Sequence, residues 1–167
     1  MKTNFILVFL TLAALTLFMG CQDGHNANQK KELTTFKKKI INPWTWQDKW
    51  GFVQANEVTG AQRMLFCAGQ ISVDENGELL HPGDMEKQLN QILDNMETLL
   101  EQANFELSDV VRFTYYTTDV NAFAEANLAV LANRLKENNC KPATSLIGVA
   151  ALARPGCVVE IEATLMD

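Results

Sequence analysis

Near its C-terminus the chain carries Glu160 and Glu162, alternating with Val159, Ile161 and Ala163. In a β-strand this spacing sets both carboxylates on one face, about 6.5 to 7 Å apart along the backbone. Such a pair can order and activate a water molecule, or it can simply solvate an exposed sheet face. Two arginines, Arg112 and Arg154, could each clamp a carboxylate with a guanidinium fork, or serve as surface and subunit-contact residues. His25 and His81 have neither a nucleophile nor a metal partner at a useful spacing. Cys67, Cys140 and Cys157 lack a CxxC or His-paired pattern, so no zinc site is indicated. They read as three small buried hydrophobes or as one disulfide with a spare thiol. Asp74-Glu75-Asn76-Gly77 is a turn signal without the later ligands of a calcium loop. No metal and no cofactor is expected. Trp44, Trp46 and Trp50 crowd into seven residues, where they could stack a planar ligand or close the edge of a core or subunit contact.

The N-terminus carries a different chemistry. One lysine, Lys2, precedes an uncharged, mostly apolar stretch from Phe5 to Gly20, and Cys21 follows. This is the layout of an export signal, and the run is shorter than the roughly 20 residues a spanning helix needs. Phe18-Met19-Gly20-Cys21 is similar to the bacterial lipobox, with Gly20 in place and Phe18 and Met19 departing from the usual residues. The expectation is a signal peptide over residues 1–20, lipidation at Cys21 and a lipidated tether over residues 21–33. The protein would then be lipid-anchored to a bacterial membrane in the cell envelope, facing the periplasm or the surface. Lys30, Lys31, Lys37, Lys38 and Lys39 could add attraction to anionic headgroups, or the last three could protect a solvated edge strand.

Without residues 1–20 the chain keeps 147 residues, enough for one domain with a real core. It then holds 13 basic and 20 acidic side chains, a net charge of −7. That balance repels phosphate backbones and argues against nucleic-acid binding.

The elements that must position these groups follow from periodicity. Strands are expected over Thr34 to Ile41, Phe52 to Val58 and Met64 to Val73. Asp84 is a candidate N-cap for a helix whose apolar face is Met85, Leu89, Ile92, Met96 and Leu99. Val110 to Thr117 is a β-branched and aromatic strand. A second helix begins near Asn121, with Ala124, Leu128, Leu131 and Leu135 on one side, and ends at Asn138-Asn139. Ser145 to Leu152 and Cys157 to Leu165 read as strands joined by Ala153-Arg154-Pro155-Gly156. Two amphipathic helices that each need a sheet to cover are packed most economically on one face of one mixed sheet, an α+β fold over residues 34–167.

Four stretches in register give the domain a likeness: Gly51-Phe52-Val53-Gln54-Ala55, Cys67-Ala68-Gly69-Gln70-Ile71, Asp109-Val110-Val111-Arg112 and Val159-Glu160-Ile161-Glu162-Ala163. In order and spacing the chain resembles the Rid (reactive intermediate deaminase, YjgF-type) family. The tryptophan-rich segment Asn42 to Trp50 resembles one branch of it. The resemblance implies a chorismate-mutase-like α+β fold, assembled as a homotrimer with small-molecule clefts between subunits. It also implies that Glu160 positions the attacking water, as the catalytic residue, and that Phe52, Gly69, Asn127 and Thr144 form the substrate-binding positions. Thr144 stands where deaminating members have an arginine that pairs with the substrate carboxylate. Phe52 has lost the hydroxyl of a frequent tyrosine, and Ala68 stands in place of serine. A threonine hydroxyl brings no positive charge, so an anionic substrate would lose roughly 2 to 5 kcal/mol of pairing. Two functions are therefore expected: hydrolysis of a small imine or enamine, or binding of a neutral metabolite without reaction. The arginine is the missing group on which the choice turns.

Overall fold

The computed structural model describes residues 35–167. The expected signal peptide and tether, the candidate lipidation site Cys21 and His25 lie outside the described residues.

Helix α1 runs Met85–Ala103 and starts where Asp84 predicts, with the Asp84 carboxylate accepting from the Lys87 backbone N–H at 3.1 Å. It buries Met85, Leu89, Ile92, Leu93, Met96 and Leu100, while Leu99 is only partly covered. Each such aliphatic side chain contributes about 1.5 to 3 kcal/mol when fully removed from water. Gln88 is buried on the same face with every polar atom used. Its amide donates to the carbonyls of His81 (2.9 Å) and Gly156 (2.8 Å), and its oxygen accepts from Val158 N–H at 2.9 Å. This one side chain ties the helix to the loop before it and to the turn before the last strand.

Strands β1 (Lys37–Ile41) and β2 (Ala55–Thr59) pair antiparallel as a separate two-stranded sheet. Strands β3 (Met64–Gln70), β4 (Val110–Thr117), β5 (Ala143–Gly148) and β6 (Val159–Met166) form a four-stranded mixed sheet in the order β3-β6-β4-β5, with only β4 and β5 parallel. The single sheet expected from periodicity is thus two sheets. The first strand is also not simply a solvated edge: Lys38 turns inward, donating to the backbone carbonyls of Ser108 and Val110. Burial holds its ammonium below the ordinary lysine pKa.

Several strands are shorter than expected, β6 starting only at Val159 and β1 only at Lys37. β5 stops at Gly148 because its partner β4 ends at Thr117. β3 stops at Gln70 because Ser72 and Val73 turn to pair with Leu79 and Leu80 instead. β2 starts only at Ala55, since Val53 bridges to Ala143 and the Gln54 N–H is taken by the Asn42 side chain.

The second helix is continuous from Val120 to Glu137 but changes its winding. Segment α2 (Val120–Ala126) passes through a π-helical turn, Asn127–Leu131, into α3 (Ala132–Glu137). The buried face is Phe123, Ala126, Asn127, Leu131 and Leu135. Leu128 is 44 % exposed and Ala124 half-buried, so the expected face was out of phase in its first half. The extra residue of the π turn shifts the rotation of α2 relative to α3. Arg134 locks α3 to α1 with a forked contact to Glu97 (3.1 and 2.8 Å) and a second to Asp94 (2.7 Å).

Along β6 and β4 every second residue is buried: Val159, Ile161, Ala163 and Leu165, and Phe113, Tyr115 and Thr117. These meet α1 and the second helix in a single core. The alternate residues line the opposite, open face of the sheet.

Candidate functional site

Phe52 is brought to its place by the segment before β2. Asp48–Trp50 forms one turn of 3-10 helix, capped by Gly51 at φ +77°. A Cβ at Gly51 would lie 3.1 Å from the Ala132 backbone, so glycine lets this segment cross the start of α3 closely. Gln47, wholly buried, holds the segment together. Its amide donates to Trp44 O (3.0 Å) and the Asp48 carboxylate (2.9 Å), and its oxygen accepts from Gln54 at 2.9 Å. The Val53 N–H donates to Pro142 O at 2.9 Å, which pins Phe52 beside the start of β5.

Thr144 is the second residue of β5 and lies in register with Phe113. Paired residues on neighbouring strands point to the same face, so Thr144 faces the helices. Asn127 opens the π turn, is 6 % exposed, and donates from its amide to Trp50 O at 3.3 Å. The three family-matched positions Phe52, Asn127 and Thr144 share one cavity of about 250 Å³. Its other walls include Trp46, Trp50, Tyr115 and Phe123. Trp46 meets Phe52 edge-on at 5.9 Å, and Tyr115 meets Phe123 at 5.1 Å. Trp46 remains 62 % exposed, so it is a rim residue and not part of the core.

Glu160 and Gly69 occupy a different place. Glu160 is in register with Tyr116, and Glu162 with Thr114, on the open face. Glu160 folds against Gly69, where an added Cβ would come within 1.7 Å of its carboxylate oxygen. Gly69 lies inside the register shift between Cys67 and Gln70, which bends β3 at this point. Burial, and then the neighbouring Glu162 carboxylate, holds the Glu160 carboxyl above its ordinary pKa. Glu162 accepts from the Tyr116 hydroxyl at 3.0 Å. That hydrogen bond, followed by burial, raises the Tyr116 pKa.

The matched positions therefore fall into two groups on opposite faces of one sheet: Phe52, Asn127 and Thr144 on the helix side, Gly69 and Glu160 on the open side. A single chain does not bring them around one ligand. Nor does it bring a replacement guanidinium to Thr144. Arg112 lies on the open face, donates to Ser145 Oγ at 3.0 Å and shares a shallow cavity with Phe66 and Glu162. Arg154 donates to the Gly77 carbonyl and closes a turn.

Cys67, Cys140 and Cys157 are buried free thiols. Burial pushes the Cys140 thiol up to about 12. Among the described residues no group of three His, Cys, Asp or Glu side chains is placed to hold a metal ion. A larger cavity of about 570 Å³, lined in part by Lys49, Lys136 and Lys141, includes Phe52 but none of the other matched positions. Sequence reasoning missed Gln47, Tyr115 and Phe123. The aromatic pair had a signal in its residue types, whereas nothing marked Gln47 as buried.

A four-stranded mixed sheet backed by helices on one face, with a carboxylate on the other and a small cavity at the β5 edge, defines an α+β protein of Rid type. Residues 51–166 match the family model described as Endoribonuclease L-PSP. The chain belongs to this family, that of the Rid and YjgF proteins. It is 39 % identical over 104 residues to a RutC family protein of Pyrococcus horikoshii, covering 62 % of this chain and 79 % of that one. It is 36 % identical over 101 residues to the 2-iminobutanoate/2-iminopropanoate deaminase of Escherichia coli, covering 60 % and 77 %. Among solved structures, a Rid-family protein of Yersinia pestis superimposes with a TM-score of 0.69 at 34 % identity, over 78 % of this chain and 98 % of that one.

Proposed function

We propose that this chain is an envelope-anchored Rid protein that hydrolyses a small, uncharged imine or enamine. Water, ordered by the Glu160 carboxylate, adds to the imine carbon. The nitrogen takes up protons and the C–N bond breaks, releasing ammonia and leaving a carbonyl compound. The resemblance to deaminating relatives supports the reaction type. The observation that carries the choice of an uncharged substrate is the composition of the cavity around Thr144, which among the described residues has no guanidinium or ammonium on its walls.

In this reading the site is completed between subunits of a homotrimer, one chain supplying Thr144 and Asn127 and its neighbour supplying Glu160 and Gly69. The opposite-face placement of the two groups supports this. So does the open face itself, where Phe66 is 71 % exposed, Met64 52 % and Ile147 40 %. Export and lipidation at Cys21 belong to the same proposal and rest on the N-terminal sequence alone.

The test is ammonia release by the purified full chain from freshly generated imines. Uncharged imines are expected to turn over above background, and 2-imino acids to stay at background until Thr144→Arg is introduced. Loss of all release in Glu160→Gln, with folding intact, completes the expected pattern. Equal background rates for every imine would leave the second reading, a non-catalytic binding protein, which the small apolar cavity favours.

A further inference from the structure

The cavity at Thr144 carries more information than the absence of a cation. Five of its nine lining residues are aromatic, and none bears a carboxylate, ammonium or guanidinium. We propose that it receives a flat, uncharged ring, held against the rim residue Trp46. This rests on reading the cavity as the ligand pocket, and it names the class of compound that the pocket selects.

Three observations converge. The first is aromatic geometry. Trp46 and Phe52 stand at 72° to each other, while Tyr115 and Phe123 meet at 41°, so rings already line two sides of the space. Aromatic rings prefer such edge-on and offset contacts to a face-to-face sandwich, and a planar ligand extends the array where a puckered one does not. The second is the state of Trp46. Although in contact with Phe52, it is 62 % exposed, so much of the indole is left to a ligand at the mouth. The third is the polar inventory. Asn127 spends its amide N–H on Trp50 O, and its side-chain oxygen meets no donor among the described residues. The Thr144 hydroxyl likewise makes no hydrogen bond among them. An acceptor and a hydroxyl that both donates and accepts suit one neutral N–H or C=N group attached to the ring. On the walls this chain supplies, an anion would shed its hydration with nothing positive to meet it.

Phe52 and Thr144 bring neither a phenol hydroxyl nor a cation to this cavity, and tryptophans at positions 46 and 50 add apolar area.

Three probes of similar size separate the possibilities: benzamide (planar, neutral), benzoate (planar, anionic) and cyclohexanecarboxamide (puckered, neutral). Each is titrated into the purified full chain, following tryptophan fluorescence and melting temperature. Benzamide is expected to give a saturable change in emission and a raised melting temperature, with the other two at least tenfold weaker. Trp46→Ala should abolish the benzamide response while the variant stays folded, and Trp46→Phe should retain it. Benzoate binding as tightly as benzamide, cyclohexanecarboxamide doing so, or no saturable response to benzamide would each overturn the proposal. So would a Trp46→Ala variant that binds benzamide normally, or one that only dissociates the oligomer. Ammonia release from an aliphatic uncharged imine, with no preference for ring-bearing ones, would remove this inference and leave the hydrolase reading standing.

Discussion

Strands β4 and β6 present two surfaces built from the same backbone and opposite in character. Toward the helices they show Phe113, Tyr115, Val159, Ile161 and Leu165, all buried and closely packed. Away from the helices they show Arg112, Thr114, Tyr116, Glu160 and Glu162, polar and only partly covered. Period-two alternation makes this possible: adjacent residues serve stability and chemistry without sharing space. The arrangement also has a cost. A group on one face cannot reach a group on the other, so the carboxylate at Glu160 and the cavity at Thr144 meet only if another surface brings them together.

The contrast can be broken most strongly on the packed side. Phe113→Ala removes a fully buried ring from the middle of the sheet, and is expected to cost about 3 to 5 kcal/mol of unfolding free energy in urea denaturation. A loss near zero would mean that the helix face is not the stabilising one. Gly69→Ala tests the open side. The added Cβ would overlap the Glu160 carboxylate, so that side chain must swing away. Ammonia release should fall by about a hundredfold through misplacement, while stability changes by only about 1 to 3 kcal/mol. Equal activity in this variant would detach Glu160 from the chemistry.

Glu162→Gln is the finest probe. It removes the negative charge that, after burial, keeps the Glu160 carboxyl above its ordinary pKa. Glu160 then ionises at lower pH, so the acid limb of the rate profile should move to lower pH. The amide oxygen still accepts from Tyr116, and stability at neutral pH should stay within about 0.5 kcal/mol. Movement of the limb upward would contradict the electrostatic coupling of the two glutamates.

Much of this architecture was legible in the chain, for identifiable reasons. α1 has uninterrupted four-three spacing and an acidic cap, and β6 alternates strictly from Val159 onward, so both emerged close to their observed places. In the first half of the second helix, periodicity points one residue away from the buried face, because a π turn leaves no mark in composition. The splitting of the sheet was hidden too, since strand pairing depends on partners far away in sequence. Glu160, Gly69, Asn127, Thr144 and Phe52 are candidates only through the resemblance to a family pattern. That they divide between two faces became visible only through the strand register. Gln47 was invisible because a buried glutamine is justified only by the three groups it bonds, and those belong to the folded loop.

The π turn at Asn127–Leu131 gives the second helix a residue more than a regular α-helix would need for the same span. That extra residue sets the stretch carrying Phe123 and Asn127, which wall the cavity, at a rotational offset from the stretch that seats Leu131 and Leu135 in the core.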